Sequence, residues 1–264
     1  MIRALLFDVD GTLAETERHG HLAAFNAAFA EAGVPWRWSE VRYGQLLRVT
    51  GGRERLLFDM ATQSQAPARD SDRQQLAAHL HALKNRQYAA IVARGQLPLR
   101  AGVAELLADC ARAAVAVAVV TTTSRSNVEA LLACHFGVGW HEHFAVLVCA
   151  EDAPRKKPHP QAYEQALDKL ALEPAAAVAL EDSPAGVAAA GSARVSVVLT
   201  RSYYFPDTPA TAGVLAAGCS LGEPADWQPA LAANARRVTL EQIARWQAAA
   251  VAAPSCDLHR PQHP

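Results

Sequence analysis

The chain begins with a short apolar stretch that stops abruptly at two carboxylates. Arg3-Ala4-Leu5-Leu6-Phe7 leads directly into Asp8-Val9-Asp10-Gly11-Thr12. The first stretch is typical of a buried strand, and residues i and i+2 of a strand point to the same side, so Asp8 and Asp10 can face one small volume. Carboxylates this close repel each other unless a divalent cation or a proton intervenes. The pattern predicts a strand that delivers a catalytic loop, although an ordinary β-turn also favours Asp and Gly.

The composition favours a globular protein that binds a small molecule. The chain has 264 residues, of which 51% are hydrophobic, enough for a sizeable core. A formal net charge of -1 gives no basic field, so we expect neither a nucleic-acid partner nor a membrane partner. The longest purely apolar run, Ala113 to Val120, is too short to span a bilayer. We expect a cytoplasmic protein with reduced thiols, because the cysteines are odd in number and include no Cys-x-x-Cys pair: Cys110, Cys134, Cys149, Cys219 and Cys256. We also expect a monomer.

Residues 16–95 have a helical pattern throughout. Apolar residues recur at helical spacing in residues 22–32 and again in residues 76–83. Between them, Thr50-Gly51-Gly52-Arg53 interrupts a helical region, either as a plain helix–helix turn or as a loop whose N–H groups and arginine contact a ligand. A segment rich in Gly and Pro follows at residues 95–102 and can act as a hinge. We predict an all-helical domain, residues 16–95, inserted after the first strand.

From Val103 onward, helical and strand patterns alternate, which is typical of a parallel α/β sheet. The predicted strands cover residues 114–120, 146–149, 176–180 and 195–199, the last being the final central strand. A capping box at Thr239-Leu240-Glu241-Gln242 predicts a further helix. Residues 1–15 and 96–264 would therefore form an α/β core with helices on both faces, and residues 253–264 would be a flexible tail.

Polar side chains follow the other strands where they end. Thr122 comes after the second strand, Lys157 lies on the loop after the third, and Glu181-Asp182 ends the fourth. In an open α/β sheet, ligands bind beyond the carboxyl ends of the strands. Acids suit a nucleophile and a divalent ion, while a lysine and a hydroxyl suit phosphoryl oxygens. Taken singly, Lys157 could be a solvated surface charge and Glu181-Asp182 an acidic helix N-terminus.

The four motifs together resemble those of the haloacid dehalogenase superfamily of phosphotransferases. They match in order and spacing across about 200 residues, with Val120-Thr121-Thr122 and Lys157-Pro158 as the middle pair. Three further stretches resemble the CbbY-type phosphatases, which act on sugar bisphosphates, notably xylulose 1,5-bisphosphate: Ala14-Glu15-Thr16-Glu17, Thr50-Gly51-Gly52-Arg53-Glu54-Arg55 and Thr121-Thr122-Thr123-Ser124. The resemblance implies a Rossmann-like core, a mobile helical cap, Mg2+ as cofactor and a small phosphorylated sugar as substrate.

The resemblance also assigns roles to individual residues. Asp8 would attack phosphorus to form an aspartyl-phosphate, and Asp10 would act as general acid and base. Thr122 and Lys157 would hold phosphoryl oxygens, Lys156 being the alternative lysine. Mg2+ would sit on Asp8, Asp10 through its backbone carbonyl, and Asp182, with Glu181 close by. Substrate contacts are expected from residues of the cap and the second motif loop, with His19 competing for the histidine role: Glu17, His21, Gly51, Gly52, Arg53, Lys84, Thr123 and Arg125.

Two other functions are compatible with these residues. A phosphosugar mutase of the β-phosphoglucomutase type keeps the same Asp pair and differs in cap closure and water access. A non-catalytic phospho-ligand sensor would not need the intact Asp8, Asp10, Lys157 and Asp182.

The sequence departs from the family pattern at one place, where a glycine usually ends the helix before the last strand. Ser192-Ala193 stands there, with Gly191 one place early.

Overall fold

A parallel β-sheet lies at the centre of the computed structural model, which describes residues 1–63 and 65–252. In this part of the chain six strands pair in the order β3-β2-β1-β4-β5-β6. Their bounds are β1 Ala4–Phe7, β2 Ala116–Val120, β3 Val146–Val148, β4 Ala177–Glu181, β5 Ser196–Thr200 and β6 Val214–Gly218. The predicted parallel α/β fold is confirmed, and the sheet is one strand wider than the sequence indicates. The short β6, Val-Leu-Ala-Ala-Gly, forms its edge.

Nine α-helices accompany the sheet among the described residues. They are α1 Ala23–Glu31, α2 Glu40–Leu46, α3 Gly52–Met60, α4 Asp70–Ala93, α5 Val103–Arg112, α6 Arg125–Phe136, α7 Gln161–Leu170, α8 Pro184–Ser192 and α9 Leu240–Ala252. A short π-helix, Glu17–Leu22, leads into α1. The predicted tail, residues 253–264, lies outside the described residues. No helix within the described ranges has both the length and the apolar character needed to cross a membrane.

The central position of β1 follows from its side chains, which are apolar and buried on both faces. Ala4 is in register with Ala116 of β2 and with Ala177 of β4. Leu5 and Phe7 pack in one apolar cluster with α5, α6 and α9, whereas Ala4 and Leu6 pack in the other with α7 and α8. Helices therefore cover both faces, and the chain leaves β1 at the middle of the sheet's carboxyl edge with Asp8 as the next residue.

Residues 17–93, called the cap here, pack around an apolar cluster of their own. Large aromatic side chains from α1 and from the segment before α2 form its centre, including Phe25, Phe29 and Trp38. The helical region broken by two glycines is resolved as α2 and α3, with Gly51 at φ +94° between them. The polar composition of residues 63–73 predicts a loop, but α4 already begins at Asp70 within it.

The two connections between cap and core lie side by side. Ala14 forms an antiparallel bridge with Leu99, and the N–H of Arg100 donates to the Leu13 carbonyl at 2.8 Å. The Arg100 guanidinium then donates to four backbone carbonyls. One belongs to Gly11, and the others belong to Thr200 at the end of β5, to Arg201 directly after β5 and to Cys219 directly after β6. One arginine, whose side chain is 11% exposed, thus ties the second connection to the loop after β1 and to the neighbouring strand ends.

The end of α8 differs from the expectation. The helix runs through Gly191 to Ser192, so this glycine lies within it. The residue that adopts the left-handed conformation is Arg194, with φ +60°, rather than either residue of the pair Ser192-Ala193. The chain reverses direction into β5 there, and an L-residue carries a conformation that glycine adopts at lower cost.

Candidate active site

A cavity of about 500 Å³ lies between the carboxyl edge of the sheet and the cap. Its core side is lined by Asp8, Asp10, Asp182 and the threonines that follow β2. Its cap side is rich in basic groups, which belong to Arg48, Arg53, Arg55, His81 and Lys84. The cavity therefore presents carboxylates at one end and cations at the other.

A buried lysine organises the carboxylates at the sheet. Lys157 Nζ donates to Asp8 Oδ1 at 2.8 Å, to Glu181 Oε1 at 2.5 Å and to the Val120 carbonyl at 2.7 Å. Burial disfavours the charged ammonium, but Asp8 and Glu181 outweigh this effect and raise the pKa of Lys157 above its usual value. Lys157 is 3% exposed and lies behind Asp8, where its ammonium fixes one of the two Asp8 oxygens.

Asp8, Glu181 and Asp182 form a compact acidic cluster. One oxygen from each lies within 4.8 Å of the others, and all three residues are buried. Burial, together with the charges of Glu181 and Asp10 and against the pull of Lys157, raises the pKa of Asp8 to about 8. Burial and the neighbouring carboxylates also raise the pKa of Asp182. A single lysine does not neutralise this charge, so the cluster fits a divalent cation.

The donor atoms of the cluster also suit Mg2+, which prefers oxygen ligands. The hydroxyl of Tyr163 donates to Glu181 Oε1 at 2.5 Å, so this oxygen already has two donors. Glu181 Oε2 is buried with no hydrogen-bond partner among the described residues. A Cβ on Gly186 would stand 1.8 Å from that oxygen, so only glycine fits beside it. These contacts place Glu181 behind Asp8 and Asp182 as seen from the cavity.

Asp10 is held by three side chains from different segments. The hydroxyls of Thr16 and Thr123 donate to its two oxygens, and His21 Nε2 lies 2.8 Å from Oδ1. Burial favours the neutral acid, but His21 and the two hydroxyls outweigh it and hold the pKa of Asp10 well below its usual value. His21 is buried and its ring stacks on Tyr88 at 4.3 Å. His19 is exposed, so the geometry favours His21 for contact with Asp10.

The remaining candidates differ in where their side chains point. Thr122 lines the cavity. Lys156 also lines it, but its ammonium donates to the Ala150 and Ala153 carbonyls. Arg125 lies outside the cavity wall and pairs with Asp152 at 2.6 Å. Glu17 lines the cavity and accepts from the Tyr43 hydroxyl.

The cap candidates all reach the cavity. Gly51, Gly52 and Arg53 line it, although Arg53 is exposed and its Nη2 donates to Gln74 at 2.9 Å. Lys84 is 4% exposed, and its ammonium lies 5.3 Å and 5.2 Å from the ring centroids of Phe25 and Tyr88. Burial lowers the pKa of Lys84 to about 8.

Sequence reasoning missed a second cap arginine. Arg55 is buried, lines the cavity and donates to the Tyr43 hydroxyl at 3.0 Å and to the Leu46 carbonyl at 3.3 Å. The sequence did hold a signal for Arg55. It lies two residues after Arg53 in α3, about half a helical turn, so the two arginines project to different sides of the helix. Arg48 and His81 also line the cavity without having been singled out.

The parallel sheet, the acidic cluster at its edge and the helical insertion define a hydrolase of the haloacid dehalogenase-like class. The model of the haloacid dehalogenase-like hydrolase family matches residues 2–194, and the chain belongs to this family. The resemblance inferred from the four motifs is thus confirmed. The chain is therefore an enzyme, and its fold is that of its family.

Within the family the likeness is to CbbY proteins. The chain is 41% identical over 228 residues to the plasmid CbbY protein of Cupriavidus necator, covering 86% of this chain and 89% of that protein. It is 40% identical to a variant of CbbY from Rhodobacter sphaeroides crystallised with xylulose 1,5-bisphosphate, with a TM-score of 0.78 and coverage of 85% and 97%. A β-phosphoglucomutase from Clostridium difficile, 17% identical, matches with a TM-score of 0.71 over 96% of this chain and 100% of that one, which shows the fold alone.

Proposed function

We propose that this enzyme is a Mg2+-dependent phosphatase that hydrolyses the phosphomonoester of a small sugar phosphate. The preferred substrate is a sugar bisphosphate such as xylulose 1,5-bisphosphate. The observation that carries the proposal is the polarity of the cavity, with Asp8 and Asp10 at the sheet and Arg53, Arg55 and Lys84 on the cap. One phosphate can approach Asp8 while the other meets the cations of the cap. The CbbY relative crystallised with xylulose 1,5-bisphosphate supports this choice.

Asp8 is the nucleophile in this proposal. Because Lys157 binds Asp8 Oδ1, we assign the attack on phosphorus to Oδ2. A bond forms between this oxygen and phosphorus while the bond from phosphorus to the sugar oxygen breaks. Thr122 lies at the same end of the cavity and can hold a phosphoryl oxygen. Mg2+ held by Asp8, Asp182 and the Asp10 carbonyl would offset the charge on the phosphoryl group.

Asp10 moves the protons. It gives a proton to the departing sugar oxygen, then takes one from the water that attacks phosphorus and releases phosphate from Asp8. Without substrate, His21, Thr16 and Thr123 keep Asp10 ionised, which suits the second step. An arriving phosphate adds negative charge nearby and so raises the pKa of Asp10, which favours the protonated form for the first step.

The test is phosphate release from purified protein on a panel of sugar monophosphates and bisphosphates, with Mg2+ and with a chelator. We expect the highest kcat/KM for xylulose 1,5-bisphosphate and loss of activity when Mg2+ is removed. Conversion of one sugar phosphate isomer into another without net phosphate release would identify a mutase instead. Binding of the panel without turnover would contradict an enzymatic role at this cavity.

A further inference from the structure

The loop after β5 is attached to Asp182 at two points. Ser202 Oγ donates to Asp182 Oδ2 at 2.5 Å, and Thr208 Oγ1 donates to the Asp182 carbonyl at 2.8 Å. Ser202 and Thr208 are both buried. Asp182 Oδ2 also packs against Gly11, where a Cβ would stand only 2.1 Å away. Ser202 thus fixes one oxygen of a carboxylate that has little room to move.

The same loop carries aromatic side chains that contact the cap. The Tyr203 hydroxyl donates to Glu40 Oε2 at 3.1 Å, and the Tyr203 ring centroid lies 4.7 Å from the guanidinium carbon of Arg18. Tyr204 and Phe205 pack against the apolar cluster of the cap, and Phe205 also lines the cavity. Residues 202–205, called the aromatic segment here, therefore contact the acidic cluster at one end and the cap at the other.

The contact on the cap side leads back to the cavity. The Tyr204 ring meets Tyr43 of α2 edge to face, with centroids 5.7 Å apart. A Cβ on Gly44 would lie 3.1 Å from the Tyr204 ring, so α2 rests closely on that ring. Tyr43 in turn donates to Glu17 and accepts from Arg55, two residues of the cavity wall. The face of α2 that receives the aromatic segment therefore also positions substrate-facing groups of the cap.

We propose that the aromatic segment couples docking of the cap to the position of Asp182, with Ser202 as the positioning residue. This inference rests on the proposed Mg2+-dependent function and assigns a further role within it. When α2 lies against Tyr203 and Tyr204, the segment is ordered and the Ser202 hydroxyl holds Asp182 Oδ2 in place. When the cap moves away, the segment loses these contacts and Asp182 loses its fixed donor. Because linkage is reciprocal, binding of the cation at Asp182 and docking of the cap favour each other.

The experiment measures Mg2+ binding to the full-length, substrate-free protein by calorimetry. Ser202→Ala should weaken Mg2+ binding by about 10- to 100-fold, as expected when a donor to a metal-binding carboxylate is removed. Ser202→Thr keeps the hydroxyl and should retain most of the affinity. Tyr204→Ala touches no metal-binding residue, yet it should weaken Mg2+ binding by about fivefold or more, the lower range of coupling between sites. Tyr203→Ala, at a side chain 51% exposed, should act in the same direction without opening the core.

Two controls separate coupling from loss of structure. Tyr204→Phe keeps the ring and removes a hydroxyl that has no hydrogen-bond partner among the described residues, so Mg2+ binding should match the wild type. Phe58→Ala removes an aromatic ring 56% exposed on α3 and should also have no effect. The double variant Ser202→Ala/Tyr204→Ala should bind Mg2+ no more weakly than Ser202→Ala, because both changes break one path.

The outcomes distinguish this inference from the function on which it rests. Wild-type protein that binds Mg2+ while Ser202→Ala binds it equally well would overturn the positioning role. Independent, multiplicative losses in the double variant would overturn the coupling while leaving the phosphatase proposal intact. Wild-type protein that binds no Mg2+ would overturn both.

Discussion

At the scale of single residues, the acidic cluster depends on one lysine shared between two carboxylates. Lys157 binds Asp8 and Glu181 at once, so the charge of either acid can change without leaving the ammonium unpaired. A buried charge that loses its only partner is costly, and this arrangement avoids that loss. Asp8 can therefore be substituted as a test of chemistry with the fold intact.

Asp8→Asn should lower phosphate release by about 10⁴-fold or more, because an amide is a poor nucleophile and the change removes the attacking group. The substitution is nearly isosteric and Lys157 keeps Glu181, so the melting temperature should not fall. Steady-state kinetics and thermal unfolding on the same sample check both statements. Asp226→Asn, at an exposed residue remote from the cavity wall, serves as the control. Substantial residual turnover would exclude Asp8 as the nucleophile.

Arg53 provides a test of the preference for a bisphosphate. A charge-assisted contact contributes about 1.5 to 3 kcal/mol, so Arg53→Ala should lower kcat/KM for a bisphosphate by roughly 10- to 100-fold. A monophosphate should be affected far less. Arg86→Ala removes another exposed cap arginine, which pairs with Glu31 at 2.7 Å away from the cavity wall, and should change neither value. Equal losses on both substrates would assign Arg53 to cap structure or to the reacting phosphate.

At the scale of an element, α8 and the turn into β5 contain two residues whose types are unfavourable for the backbone conformations that they adopt. Gly191 lies inside the helix, where an added Cβ would meet no atom within 4 Å outside the helix's own backbone, and Arg194 carries φ +60°. Gly191→Ala should raise the free energy of unfolding by about 1 kcal/mol through helix propensity. Arg194→Gly should raise it by up to about 1 kcal/mol, since relief of left-handed strain exceeds the added freedom of the unfolded chain.

Urea unfolding of the two variants and of their combination measures these effects. The Arg194 N–H donates to the Gly191 carbonyl at 2.9 Å, so the two sites are neighbours, and the combined variant measures how far the two gains depart from additivity. Arg37 is an exposed loop arginine whose φ is not positive, so Arg37→Gly should give no gain in stability. A stabilising Arg37→Gly would show that loss of an arginine, and not backbone conformation, explains the result.

At the scale of the whole molecule, the acidic cluster makes stability depend on pH and on the cation. In the metal-free protein the pKa of Asp8 is raised to about 8, whereas the ordinary value for an aspartate, which applies in the unfolded chain, is 3.8. Between about pH 6.5 and pH 8 the folded state therefore binds more protons than the unfolded state, and the free energy of unfolding falls as pH rises. Bound Mg2+ favours the ionised carboxylates and should flatten this slope.

Urea unfolding across that pH range, with a chelator and with Mg2+, tests the prediction. The pKa of His81 is lowered to about 4 and that of Lys84 to about 8, both by burial, so these two groups contribute slopes of the opposite sign, and the contribution of Asp8 is read from the difference between the wild type and Asp8→Asn. With the chelator present, Asp8→Asn should remove much of the fall in the free energy of unfolding as pH rises. The same pH dependence of stability in the wild type and in Asp8→Asn, both with the chelator, would contradict the raised pKa of Asp8.

The extent to which this molecule can be predicted from its sequence depends on the range of the contacts. Asp8, Asp182 and the strands before them follow from local patterns, because strand ends in a parallel sheet meet at one edge. Ser202 and Arg100 could not be found in this way. Their partners are 20 to 119 residues distant in sequence, and no periodicity signals such a contact. β6 was missed because a five-residue strand at a sheet edge, three of whose residues are Ala or Gly, has little pattern of its own.

The adjacent connections at residues 13–14 and 99–100 have a consequence for how such enzymes diversify. Viewed from the sheet, the whole cap is a single surface loop whose two ends are pinned together by Ala14, Leu99 and Arg100. Loop-closure entropy grows only slowly with length, so the core tolerates replacement of the insert by a longer, shorter or unrelated one. A chain in which a short turn joins residues 14 and 99 would leave the carboxylates open to water, and it would also expose the apolar side chains of the core that now pack against Tyr88, Val92 and Leu97. Substrate selection can then change by exchange of one contiguous piece of gene, with the chemistry left in place.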